Sequence, residues 1–217
     1  MADYAFTYRD EARGVYSFCM CPGGTVVAAA SETGGVVTNG MSDYRRNSGV
    51  ANSALLVQVN PMDWHGDVLG GIRFQRTLET AAFELGGGDY FAPVQSVGDF
   101  IRGSSRMRDF AVVPTYAPGV RPARLHEAFP GDIAAALARA LTHWEARMPG
   151  FGAADIPMTG IESRSSAPCR IVRDAETMEA VRTPGLYPIG EGAGYAGGIM
   201  SAALDGMKAA LSYLENQ

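Results

Sequence analysis

The stretch "GLYPIGEGAGYAGGIM" (residues 185–200) decides how this chain is read. Within it, Gly192-Ala193-Gly194-Tyr195-Ala196-Gly197 spells G-x-G-x-x-G. That spacing carries a dinucleotide only when a strand precedes it, a helix follows, a second strand completes the unit and an acidic residue stands about 20 positions on. Residues 186–189 predict the strand. Ile199, Ala203, Leu204, Met207, Leu211 and Leu214 fall on one face of a predicted helix. The remaining two conditions fail, because the chain closes at Gln217. A self-contained dinucleotide domain does not fit, and the glycine spacing is partly coincidence.

The physics of the loop does not depend on that coincidence. A helix beginning near Gly197-Gly198 offers unpaired amides and a positive dipole end. Glycine lets an anion or a flat ring approach the backbone. Gly190-Glu191 stands at the carboxyl end of the predicted strand, and its carboxylate can accept hydrogen bonds from sugar or ribityl hydroxyls. The spacing alone leaves a second reading open, in which the glycines only let strand and helix pack closely.

The rest of the chain is read outward from this point. With 217 residues and 47% hydrophobic residues it can bury a real core in one or two domains. The 27 glycines favour tight turns. A net charge of −5 argues against nucleic-acid and acidic-membrane partners. Lys208 is the only lysine among 18 basic residues. Three cysteines make no disulfide framework, the first fifteen residues lack a signal-peptide core, and no apolar run spans a bilayer, so a cytoplasmic home is expected.

Short strands are predicted at residues 15–19, 25–29, 35–38 and 54–59, with Pro22-Gly23-Gly24 as the turn between the first two. Phe74, Leu78, Ala81, Ala82 and Leu85 predict a helix stopped by Gly86-Gly87-Gly88. Ile133, Leu137, Leu141, Trp144 and Met148 predict another, with Asp132 near its start and Pro149-Gly150 at its end. Residues 114–130 read as ordered loop, and 169–173 as a further strand. The expected class is α/β or α+β, with a mixed sheet followed by a closing strand–Gly loop–helix.

Several blocks resemble a family of bacterial FAD-dependent dehydrogenases, two-domain flavoproteins loosely described as NAD-utilising. They are "GVYSFCMCPGGTVVAAASETGGVVTNGMS" (14–42), "VANSALLVQV" (50–59), "APVQSVGDF" (92–100), "ESRSSAPCRIVRD" (162–174) and "TPGLYPIGEGAGYAGGIMSAALDGMKAA" (183–210). The resemblance implies the C-terminal half of an oxidoreductase that moves a hydride between a small substrate, or NAD(P)H, and FAD. It implies a substrate-facing domain over residues 1–157 and, over 158–217, the C-terminal segment of an FAD domain whose N-terminal Rossmann half lies upstream. The chain is then a cut or truncated form, inactive alone, whose uncovered face invites self-association. By position, Gly190 and Glu191 would meet the ribityl–pyrophosphate region. Gly197, Gly198 and Ile199 would turn amides to the flavin's pyrimidine edge, and Ser163, Arg164, Ser165 and Ser166 would lie near the isoalloxazine. For that last run a polar turn before a strand is the other reading.

Read from the residues themselves, Arg46 with Asn52 and Ser53 is the best anion-binding candidate, suited to a substrate carboxylate, with Arg45 beside it. A solvated loop is the alternative. Cys19-x-Cys21 alternates onto one face of a strand and reads as small-residue packing, with a flavin-adjacent redox role as the minority reading. With Cys169 the only other thiol, no metal site is expected. His65, between Asp63 and Asp67, reads as surface, and His126 and His143 as structural. No nucleophile elbow or Walker A loop occurs, and no catalytic acid or base is identifiable. Two rival functions remain: a non-catalytic binding module without cofactor, and a phosphate- or nucleotide-binding protein using the Gly197 helix start.

Overall fold

A computed structural model describes residues 6–104 and 109–215. Residues 1–5 and 105–108 of the expected first domain, and 216–217 at the end of the second, lie outside the described residues. The chain divides into two compact units. Unit 1 comprises Met1–Asn60 and Gln75–Ser163, and unit 2 comprises Pro61–Phe74 and Arg164–Gln217.

Unit 1 is α+β. An antiparallel sheet orders β1 (Thr7–Arg9), β2 (Gly14–Pro22) and β5 (Ala51–Val57) as β1-β2-β5, while β3 (Gly24–Ala28) and β4 (Thr38–Ser42) form a two-stranded ladder. The third sheet is mixed. Central β6 (Ala92–Ser96) pairs in parallel with β7 (Val120–Pro122) and antiparallel with β8 (Pro157–Thr159). β6 is buried along its whole length, as a central strand covered on both faces must be.

Gly23, with φ of +57°, forms the predicted turn between β2 and β3. A side chain there would meet the peptide of Arg46. The register of β2 against β5 shifts between Phe18 and Cys21, and Cys19 takes a φ of +48°. The bulge inserts an extra residue and breaks simple alternation. The two cysteines therefore do not repeat along one face as the spacing predicts: Cys19 is exposed, and Cys21 is half-buried.

The helices follow the predicted stripes. α1 (Gly70–Leu85) begins in unit 2 and continues into unit 1, where Ala82 is buried and Leu78, Ala81 and Leu85 pack on the core of Val36, Ala92, Tyr116 and Ile161. Gly87 and Gly88 end it with positive φ, and the Gly88 amide turns back to the Phe83 carbonyl. α2 (Val97–Ile101) is capped by Ser96, whose hydroxyl accepts from the Asp99 amide. α3 (Gly131–Arg147) buries Ile133, Leu137, Leu141 and Trp144. The Trp144 ring sits edge-on to Phe6 and Phe151, with centroids 6.1 and 5.7 Å away. Asp132 does not cap α3; it accepts from Arg13 at 2.6 Å.

Unit 2 is irregular apart from the start of α1, a 3₁₀ turn at Pro61–Trp64 and α4 (Ile199–Glu215). The strands expected at 169–173 and 186–189 are absent. A β-branched run becomes a strand only beside a ladder partner. Among the described residues this stretch makes a single bridge, Arg173 to Ala180, and the Leu186 carbonyl accepts from the Ala180 amide within a turn. The α+β class stands, but the segment before the glycine loop is turn-rich chain and not a strand.

Candidate functional site

The glycine loop of unit 2 is held from beneath by a polar clamp. Asp205, buried on α4, receives the Arg173 guanidinium through two hydrogen bonds, Nη1 at 2.9 Å and Nη2 at 2.7 Å. Arg173 also donates to the Pro188 carbonyl at 2.7 Å, and the Gly190 amide donates to Asp205 Oδ2 at 2.9 Å. The guanidinium beside it, helped by the Gly190 amide, holds the Asp205 carboxyl at about 2. The Tyr195 ring lies 3.6 Å from the Arg173 guanidinium and 4.8 Å from that of Arg170, and its hydroxyl donates to the Ile171 carbonyl. Gly194, at φ +84°, packs so closely on the Cys169 carbonyl that an added Cβ would stand 2.6 Å from it.

Above this clamp the loop is open. A Cβ at Gly192 or Gly197 would meet nothing within 4 Å, and neither residue has a positive φ. Nothing among the described residues requires glycine at these two positions. Glu191 is half-buried and its carboxylate has no partner among the described residues; burial raises its pKa. Of the three expected helix-start amides, that of Gly198 is taken by Ser201 Oγ at 3.1 Å, leaving Gly197 and Ile199. Gly190, Glu191, Gly197, Gly198 and Ile199 thus belong to one loop. Ser163 falls in unit 1, where its hydroxyl donates to buried Glu79 at 2.7 Å. Arg164 and Ser165 are half-buried and Ser166 exposed, all in irregular chain of unit 2.

The second candidate lies within unit 1. Arg46, Asn52 and Ser53 line one cavity of about 800 Å³, with Cys21, Leu55 and Phe151 also in its wall. β5 supplies Asn52 and Ser53, and the chain after β4 supplies Arg46. Arg46 takes a φ of +50°, its amide donates to the Asp43 carbonyl at 3.0 Å, and its guanidinium makes no ion pair among the described residues. The Asn52 Nδ2 is buried and finds no acceptor among the described residues. Arg45 and Arg46 are both exposed, and of the two only Arg46 lines the cavity, at its open side.

The histidines stay outside both places. His65 is exposed in a turn where Asp67 instead pairs with Arg73. His126 stacks on Phe100 at 4.2 Å, with burial and Arg124 depressing its pKa. Among the described residues no three His, Cys, Asp or Glu side chains cluster to hold a metal, and no helix is long and apolar enough to cross a membrane.

Comparison with known proteins fixes the family. The model of "FAD-dependent protein, C-terminal domain-like" matches residues 1–165. The chain belongs to this family. A curated relative from Clostridium beijerinckii, described only as an uncharacterized protein, is 49% identical over 217 residues, which is 99% of this chain and 40% of the relative. The chain therefore spans 40% of the length of the curated relative it matches. The family match covers unit 1 and stops short of the glycine loop, whereas the similarity to the relative runs on through it.

Sequence reasoning missed Arg173, Tyr195 and Asp205. The one available signal was Asp205, an acid set among small and apolar residues in the middle of α4.

Proposed function

We propose that this chain is the C-terminal part of a cytoplasmic FAD-dependent oxidoreductase and that the 190–199 loop forms one wall of its flavin site. On this reading residues 1–157 face the substrate and 158–217 close the FAD domain. The observation that carries it is the pairing of a clamped underside with an open upper surface. Gly192 and Gly197 are glycines without an internal reason, and they leave room for a flat body to approach the backbone. When bound, the flavin supplies hydride transfer at its isoalloxazine, with a small substrate or NAD(P)H as the other party.

The chain's own residues fit such a group. The Glu191 carboxylate has no partner among the described residues and can accept from ribityl hydroxyls. The Gly197 and Ile199 amides, at the positive end of α4, favour negative charge. Arg164, Ser165 and Ser166 supply further donors. The clamp keeps Gly190 and Glu191 in place and takes no part in binding.

The same reading assigns the apolar face of α4 to the remaining portion of the longer protein, and expects the isolated chain to self-associate through that face. The test is made in the longer protein. Glu191→Ala and Gly197→Val should each lower bound flavin, read from the visible spectrum, while both variants of the isolated chain melt like the parent. Unchanged flavin content in both variants overturns the assignment.

A further inference from the structure

We propose that the cavity of unit 1 binds an apolar monocarboxylate, with the carboxylate at Arg46 and Ser53 and the apolar body against the opposite wall. The volume of about 800 Å³ lies in the range of small-molecule sites. Its wall is mostly aliphatic, thioether and aromatic: Met20, Leu141, Met148, Phe151, Ile156 and Met158. Three methionines make that wall adaptable in shape.

The polar side chains are few: Cys21, Ser42, Arg46, Asn52 and Ser53. Among the described residues Arg46 is the single charged one lining the cavity, and no carboxylate joins it there. A carboxylate is the ligand end that gains most from this guanidinium, even where solvent reaches it. Asn52 also stands in the wall, but its Nδ2 is shut off from the cavity and its side-chain amide packs against Gly40. Ser53 adds a hydroxyl. One planar guanidinium fork matches one carboxylate, and no second cation among the described residues lines the site to match a phosphate dianion.

Arg46 is also held in place by its backbone. Left-handed φ is unfavourable for a residue with a side chain. Here it persists because the Asp43 carbonyl receives the Arg46 amide and the turn at Gly23 abuts the Arg46 peptide. The inference needs unit 1 only and does not rest on the flavin reading.

The test uses the whole chain without FAD. Octanoate and 4-phenylbutanoate are titrated against their neutral alcohols, octan-1-ol and 4-phenylbutan-1-ol, by calorimetry and ligand-observed NMR. At least one acid should bind about tenfold more tightly than its alcohol. Arg46→Gln should weaken the acid by about tenfold and leave the alcohol unchanged. Met148→Trp, at the half-exposed rim, should block both ligands while the thermal melt stays that of the parent. The proposal is overturned if neither acid binds, if acid and alcohol bind equally, or if both variants bind the acid as the parent does, which would place binding elsewhere on the surface.

Discussion

α3 and α4 are both 17-residue amphipathic helices, yet they pack in opposite ways. α3 turns its apolar stripe inward: Leu137, Leu141 and Trp144 are at most 4% exposed. α4 turns its stripe outward, leaving Ile199 86%, Leu204 51%, Met207 61%, Leu211 56% and Leu214 69% exposed. The residues α4 buries are Asp205, Ala209 and Ser212. One helix is held by hydrophobic burial, the other by hydrogen bonds: Arg173 and Gly190 to Asp205, and Ser212 Oγ to the Glu176 carbonyl at 2.7 Å. An apolar stripe at helical spacing therefore identifies a helix but not the face by which it is held.

Four substitutions probe that contrast. Trp144→Ala in α3 should cost about 4 kcal/mol, read by denaturant unfolding of unit 1, because a large buried ring is lost from an aromatic cluster. A cost below about 1 kcal/mol would place the hold on α3 elsewhere.

Arg173→Met should cost roughly 3 kcal/mol at neutral pH, read by hydrogen exchange of the α4 amides, since it strands a buried carboxylate. The acid dependence has a definite sign. Asp205 titrates at about 2 in the folded chain against an ordinary 3.8. Its contribution, about 2 kcal/mol, is complete above that ordinary value and fades as pH falls toward 2. Arg173→Met should remove this fade, and an unchanged acid limb in the variant would separate the limb from the clamp.

Leu204→Ser and Leu211→Ser should change stability by less than about 0.5 kcal/mol, because both side chains already meet solvent in this chain. The same variants should reduce self-association in sedimentation. A large loss of stability would mean that the stripe of α4 is covered within the chain after all.

Much of the fold was legible where periodicity is long. β2, β3, β5 and all three long helices stand within a few residues of their predicted places. β4 begins where its strand was expected to end, because the Val36 amide bonds to the Glu79 carbonyl and ladder pairing starts at Thr38. β6, β7 and β8 escaped because they are short and rich in proline, and their pairing is decided by partners distant in sequence. The runs at 169–173 and 186–189 misled for the converse reason: their local propensity is real, but no ladder partner exists among the described residues. Arg46, Asn52 and Ser53, singled out together in the sequence, do line one cavity. The apolar wall was not legible, being assembled from the end of α3 and residues 151–158. The clamp joins residues 32 apart, a separation no local pattern encodes.

The clamp has a consequence for assembly. Its bonds fix α4 through the polar side and leave the apolar side free. The exposed stripe is therefore preorganised, and docking onto it needs neither a folding step nor much loss of conformational entropy. Association with this surface should be closer to rigid-body docking than to coupled folding and binding, with the helix content of unit 2 the same before and after.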